Sequence, residues 1–282
     1  ETAGIAMVSV IAHRGLRSER PENTVESIEA ALAVPRIAGI EFDVELTRDG
    51  ELVALHQETM VPDASWTRLD LAPRDYVCRD WVYPRTAEEV GRLDAGSWMG
   101  ERFASCRVPT LEQILALPWR EITAYVELKD PTFWGARDCA RPAALAQAFA
   151  RQARSFAGKL TAISFNPDVL REVILQLSSQ SCVLALWTEW VGRENEAVRL
   201  AKDCGASAVS LPHSMILASR SWVSEARRYG LQVHTYPLSP ARNETAFLSW
   251  NAGSQETTWQ ELVAAGVDAI VTDFARETLK AL

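Results

Sequence analysis

The sequence lacks paired cysteines, a basic block and any long apolar run, and each absence removes a class of protein. Five cysteines (Cys78, Cys106, Cys139, Cys182 and Cys204) are scattered, with no CxxC pair and no histidine at zinc-finger spacing. A disulfide scaffold and a structural zinc site are thereby excluded, and reduced, mostly buried thiols of a cytosolic protein are expected. A Cys78 to Cys106 pairing is the one alternative left open. The formal net charge of -8 is spread along the chain without a basic cluster, so nothing recruits nucleic acid by general attraction. No segment approaches the roughly 18 apolar residues of a membrane helix. The opening Glu1-Thr2-Ala3-Gly4-Ile5-Ala6 shows no charged region followed by an apolar one. A cytoplasmic protein without a transmembrane segment is the expectation, with a removed leader still open because the chain does not begin with Met. Low-complexity tracts and tandem repeats are absent as well.

What is present fits one large domain. The chain has 282 residues, 48% of them hydrophobic and 23% charged, enough to bury a substantial core. Short β-branched or apolar runs alternate with stretches of helical period, the mark of βα units and a parallel sheet. The runs are Met7 to Ala12, Gly39 to Val44, Ala124 to Leu128, Leu160 to Ser164, Cys182 to Trp187, Ala206 to Leu211, Leu231 to Tyr236 and Asp268 to Thr272. Helical spacing is clearest in Ala143-Leu145-Ala146-Phe149-Ala150 and Val169-Leu170-Val173-Ile174-Leu177. Strands and covering helices in this number predict an α/β TIM (β/α)8 barrel.

Two stretches interrupt the rhythm. Glu51 to His56 reads as an extra strand, and the residues from about 57 to 108, before a helix over Thr110 to Leu117, are too many for a structureless loop. They predict a small inserted subdomain over the barrel mouth. Pro237 to Glu256, rich in Ser, Asn and Gly, predicts a long surface loop and candidate lid.

Reactive groups of such barrels sit where strands end. The first strand runs into His13-Arg14-Gly15, the second carries Glu41 and Asp43, and the third carries Glu127 and Lys129. Side chains two apart on a strand share a face, so Glu41 and Asp43 aim into one cavity. Three carboxylates meeting in a semi-buried mouth repel one another unless a cation neutralises them, and an all-oxygen set favours Mg²⁺ or Ca²⁺ over zinc. A single strand-end Glu or His is ordinarily structural; the joint occurrence of these groups with a later His56 is what points to chemistry.

The motifs Ala12-His13-Arg14-Gly15, Arg20-Pro21-Glu22-Asn23-Thr24, Gly39-Ile40-Glu41-Phe42-Asp43-Val44 and Thr47-Arg48-Asp49-Gly50, with His56 after them, resemble the N-terminal signature of glycerophosphodiester phosphodiesterases. Leu93-Asp94-Ala95-Gly96, Val108-Pro109-Thr110-Leu111, Val126-Glu127-Leu128-Lys129 and the closing Gly266-Val267-Asp268-Ala269-Ile270-Val271-Thr272-Asp273 are similar to the same family in the same order. The local physics agrees. Asn23 or Thr24 can cap a helix, and Thr47 to Gly50 reads as a hairpin turn that returns His56 over the mouth.

The resemblance implies that Glu41, Asp43 and Glu127 hold one divalent cation, Mg²⁺ or Ca²⁺, which acts on a phosphodiester together with Arg14 and Lys129. It further implies that His13 and His56 act as general acid and base, in either order, with attack by a glycerol hydroxyl giving a cyclic phosphate that water then opens. Phe165 and Trp187, after two later strands, are the substrate contacts that topology suggests. Gln57 stands where the family has Asp, which predicts altered tuning of His56. His234-Thr235-Tyr236-Pro237 replaces a Trp-Thr-Val-Asn pattern, with His234 read as structural rather than as a pocket residue. His213 carries no motif. Of the tryptophans, Trp66, Trp81, Trp98 and Trp134 fall in or near the inserted and mouth regions.

The function implied is hydrolysis of a small-molecule glycerophosphodiester to glycerol 3-phosphate and an alcohol. The alternatives are a phospholipase D-like activity on lysophospholipids, against which the lack of a basic amphipathic segment weighs, and a silent phosphoester-binding barrel, which would be expected to have lost a key His, Arg or carboxylate.

Overall fold

The computed structural model describes residues 8–56, 82, 85–130, 141–178, 180–237 and 256–282. Eight parallel strands close on themselves: β1 (Ser9–His13), β2 (Gly39–Leu46), β4 (Thr123–Leu128), β5 (Leu160–Ser164), β6 (Ser181–Ala185), β7 (Ala208–Pro212), β8 (Gln232–Tyr236) and β9 (Ala269–Thr272). The ring closes because β1 pairs on one side with β9 (Ala12 beside Thr272) and on the other with β2 (His13 beside Glu41). The short strand β3 (Leu52–Ala54) lies antiparallel to the end of β2, Val44 beside Ala54. Relative to the sequence reading, β1 runs on through His13 and β2 through Leu46, while β6 stops at Ala185 and β7 starts only at Ala208.

Strand alternation divides the chain into two environments. Val10, Ala12, Ile40, Phe42, Val44, Ala124, Val126 and Leu128 point outward into the layer shared with the helices. Ile11, Ala269 and Val271, and separately Ile163, Val183, Ala185 and Ala208, point inward and fill the barrel axis. The remaining inward positions at the top of β1, β2 and β4 carry charge.

The helices begin where the sequence supplies caps. α1 (Val25–Leu32) is capped by Thr24, whose hydroxyl accepts from Ser27 N. α2 (Ala87–Gly91) and α3 (Leu111–Leu115) open with capping boxes, Thr86 with Glu89 and Thr110 with Gln113. α4 (Pro142–Ser155) and α5 (Pro167–Gln176) start on proline, which costs no hydrogen bond at that position. α6 (Glu194–Asp203), α7 (His213–Ala218), α8 (Ser221–Arg228), α9 (Glu256–Ala265) and α10 (Ala275–Ala281) complete the outer layer. Among the described residues no helix is long and apolar enough to cross a membrane.

Between β3 and α3 the described residues hold α2, two short 3-10 helices (Ser97–Met99 and Glu101–Phe103) and a small separate core of Val53, Leu55, Val82, Val90, Ala95 and Val108. Trp98 is buried there, its indole N–H donating to Ala95 O at 3.0 Å. Trp66, Trp81, Trp134, Cys78, Gln57 and the segment 238–255 lie outside the described residues; Cys106 is a free buried thiol.

Below the mouth the barrel axis is tightly filled. Gly39 opens β2 against the Tyr125 ring, and a Cβ there would lie 2.4 Å from Tyr125 Cε2. Gly39→Ala is therefore expected to lower the unfolding free energy by about 1–3 kcal/mol, measured by urea denaturation. A change below about 0.5 kcal/mol would show that the ring moves aside freely.

Candidate active site

β1, β2 and β4 are neighbours, so the alternation that sends their hydrophobic residues outward sends His13, Glu41, Asp43, Glu127 and, just past the strand, Lys129 into one space. Glu41, Asp43 and Glu127 each offer an oxygen, all within 4.8 Å of one another. Glu41 and Asp43 are only 4% and 1% exposed, too buried for water to screen their repulsion.

The charges form a chain of alternating sign around the mouth. Lys129 Nζ lies 2.5 Å from Glu127 Oε1 and 3.1 Å from Asp43 Oδ1. Asp43 Oδ2 stands 3.1 Å from Arg14 Nε, and Arg14 Nη1 donates to Glu22 Oε1 at 2.8 Å. Glu22 Oε2 lies 2.6 Å from Arg17 Nε, and Arg17 Nη1 donates to Asp273 Oδ1 at 3.3 Å. Asp273 Oδ1 also takes the ring nitrogen Nδ1 of His13 at 2.6 Å. Asn23 fixes Asp43 from both ends, its Nδ2 donating to Asp43 Oδ2 and its Oδ1 accepting from Asp43 N, each at 3.1 Å.

The loop that delivers Arg14, Arg17, Glu22 and Asn23 folds back on itself. Arg14 and Asn23 both adopt left-handed backbone conformations (φ 54 and 56), and Asn23 N donates to Arg14 O. Strain of this kind persists only where the surroundings over-determine it. Gly15, at φ 82, has Ser27 where a Cβ would be, so the turn after His13 accepts glycine alone.

The electrostatics divide the carboxylates. Burial, then Asp43 and Glu127, push the Glu41 carboxyl well above the usual carboxylate range. Burial raises Glu127 too, with Lys129 opposing. Asp43 is held at about 2, because Lys129 and Arg14 outweigh the effect of burial. Asp273 likewise sits well below the usual range, burial being overcome by Arg17 and His13. Burial lowers His13, although Asp273 opposes it.

Among the described residues, five carboxylates (Glu22, Glu41, Asp43, Glu127 and Asp273) thus face three permanent cations (Arg14, Arg17 and Lys129) in this linked set. With all five ionised the excess would be two negative charges, the charge of one divalent cation, and the raised Glu41 and Glu127 carboxyls mark where that ionisation is opposed. Glu41 Oε1, buried and without a hydrogen-bond partner, supplies an open oxygen. Donor chemistry and charge both fit a hard divalent ion.

His56 follows β3 and is 8% exposed. β3 occupies the edge of β2 just beyond the point where β1 leaves it, so the chain after β3 runs back along β2 toward the level of His13. Phe165 and Trp187 meet edge to face at 5.7 Å, and Tyr236 joins Phe165 at 6.1 Å, making an aromatic wall with Lys129 Nζ 5.8 Å from the Phe165 ring. His234 stays within the barrel axis against Tyr125, and burial lowers it to about 4. His213 is buried as well, and burial lowers it to about 4.

Three further participants were not assigned a site role from sequence. Asp273, Glu22 and Arg17 all lie in or beside the motifs quoted above. Of the two capping candidates, Thr24 caps α1, and Asn23 clamps Asp43.

Comparison with known proteins gives a consistent picture. The model of the glycerophosphoryl diester phosphodiesterase family matches residues 13–277. The glycerophosphodiester phosphodiesterase of Bacillus subtilis is 24% identical over 263 residues, covering 90% of this chain and 85% of its own. That of Caldanaerobacter subterraneus is 40% identical over a shorter 108-residue stretch, 38% of this chain and 39% of its own. An Oleispira antarctica phosphodiesterase, solved with its product sn-glycerol-3-phosphate, shares the fold with a TM-score of 0.71 at 20% identity, covering 97% of this chain and 96% of that one.

Because Glu41 is costly to ionise without a counter-charge, Mg²⁺ or Ca²⁺ at about a hundredfold its dissociation constant is expected to stabilise the fold by about 2.7 kcal/mol, a rise of roughly 5 °C in Tm. Glu41→Gln should abolish most of that rise in a thermal melt. An equal rise in wild type and variant would place the ion elsewhere.

Proposed function

The chain belongs to the glycerophosphoryl diester phosphodiesterase family, and we propose that it hydrolyses small glycerophosphodiesters to glycerol 3-phosphate and an alcohol with one divalent cation and a pair of histidines. The observation that carries the proposal is the convergence of Glu41, Asp43 and Glu127 within 4.8 Å, beside His13, Arg14 and Lys129.

Glu41, Asp43 and Glu127 would hold the cation, Mg²⁺ or Ca²⁺, which supplies Lewis-acid stabilisation of the phosphodiester oxygens when bound. Arg14 and Lys129 add fixed positive charge on the same side. Both are kept charged by the carboxylates around them, so they need no reorganisation as negative charge grows on the phosphoryl group.

With Nδ1–H donating to Asp273, the His13 lone pair would sit on Nε2, 3.8 Å from Glu41 Oε2. His13 is therefore the group placed to accept the proton of the attacking hydroxyl. The neighbouring glycerol hydroxyl attacks phosphorus, its O–P bond forms as the bond to the alcohol breaks, and His56 gives that alcohol its proton. Water then opens the cyclic phosphate with the two histidines exchanging roles, so each regains its starting state. Phe165 and Trp187 line the far side of the mouth as an apolar wall for the organic part of the substrate.

A base must be unprotonated to act. Burial lowers His13, so the acid limb of kcat/KM is expected below its ordinary value of about 6.5. Activity should be retained as pH rises from that limb towards neutrality. Glycerol 3-phosphate release from glycerophosphocholine should require the cation and fall by at least about 10²-fold in His13→Ala and in Asp273→Asn. Metal-independent turnover, or wild-type turnover in His13→Ala, would refute this mechanism. Failure with a panel of phosphodiesters would favour a binding protein.

A further inference from the structure

We infer that Arg17 is a positioning residue, a single buried guanidinium that fixes His13 and Arg14 at once without touching substrate. The inference rests on the acid–base reading of His13 given above.

Arg17 is 3% exposed and lies behind the mouth. Its Nη1 donates to Asp273 Oδ1 at 3.3 Å, the same oxygen that holds His13 Nδ1 at 2.6 Å. Its Nε lies 2.6 Å from Glu22 Oε2, while the other oxygen of Glu22 accepts from Arg14 Nη1 at 2.8 Å. One guanidinium therefore holds two carboxylates, Asp273 by a hydrogen bond and Glu22 by an ion pair, and each carboxylate contacts one residue of the mouth.

The geometry explains why an arginine is needed. Among the described residues Asp273 Oδ2 has no hydrogen-bond partner, so the carboxylate is oriented through Oδ1. Without Arg17, only the imidazole it is meant to orient would hold it. Glu22 would similarly keep just its contact with Arg14. A lysine offers a point charge and cannot span both partners in fixed directions as the guanidinium does. Loss of this support would let His13 and Arg14 shift by about 1 Å, and misplacement on that scale costs roughly 10²-fold in rate.

The test compares wild type with Arg17→Met and Arg17→Lys, assayed with Mg²⁺ and glycerophosphocholine. The same proteins are labelled with ¹⁵N-histidine to follow the His13 ring N–H that faces Asp273. Arg17→Met is expected to lose roughly 10²-fold in kcat with KM within about threefold, to regain part of it with added guanidinium, and to lose or broaden the His13 ring N–H resonance. Arg17→Lys should fall between, and stands in if Arg17→Met does not fold. A kcat within about threefold of wild type in a folded variant, or an unchanged His13 resonance in both, would overturn the inference. The resonance needs no turnover, so it decides the role of Arg17 even if the phosphodiesterase reading fails.

Discussion

Like charge confined in a small buried volume is the constraint on which the rest of this structure turns. Three carboxylates, two of them almost wholly withdrawn from water, share the mouth of the barrel within 4.8 Å. In water such groups would barely notice one another, but at the low effective dielectric of a barrel rim their mutual repulsion is large. Arginine and lysine side chains threaded between carboxylates from Asp273 to Glu127 offset most of it. The uncompensated part is concentrated at Glu41, whose carboxyl is pushed up while Asp43 beside it is held at about 2. That imbalance is where the proposed cation would be held.

The barrel makes this arrangement affordable. Its outward residues and helices form a continuous apolar layer, and its axis is filled by small hydrophobic clusters, so the polar mouth rests on a rigid platform. Closure of β9 against β1 then brings Asp273 beside His13 from 260 residues away in sequence. The return of β3 along β2 brings His56 toward the same rim by a four-residue turn. The chemistry is assembled from strand ends because alternation gives each of them one inward side chain at the level where the packing stops.

Much of this was legible in the sequence, for identifiable reasons. Strands showed as short β-branched runs, and Leu160 to Ser164 was placed without error, because hydrophobic periodicity is a local property. Glu41 and Asp43 were recognised together because they stand two apart on one strand. The same rule applied to Ala269, Val271 and Asp273 would have turned Asp273 inward, next to His13 once the ring closes. Arg17 and Glu22 carried no such signal. They sit in an irregular loop whose path depends on left-handed backbone at Arg14 and Asn23, and their partners are chosen by tertiary structure. Asn23 and Thr24 were both open as the cap because both are good capping residues, and the structure gives that role to Thr24.

The most direct test of the account is to locate the ion. Crystals soaked in Mn²⁺, whose anomalous scattering marks its position, are predicted to show a single strong peak with oxygens of Glu41, Asp43 and Glu127 at roughly 2.0–2.6 Å. A peak bound elsewhere on the barrel with the three carboxylates bare, or no peak at saturating Mn²⁺, would contradict the claim that their excess charge is there to hold a divalent cation.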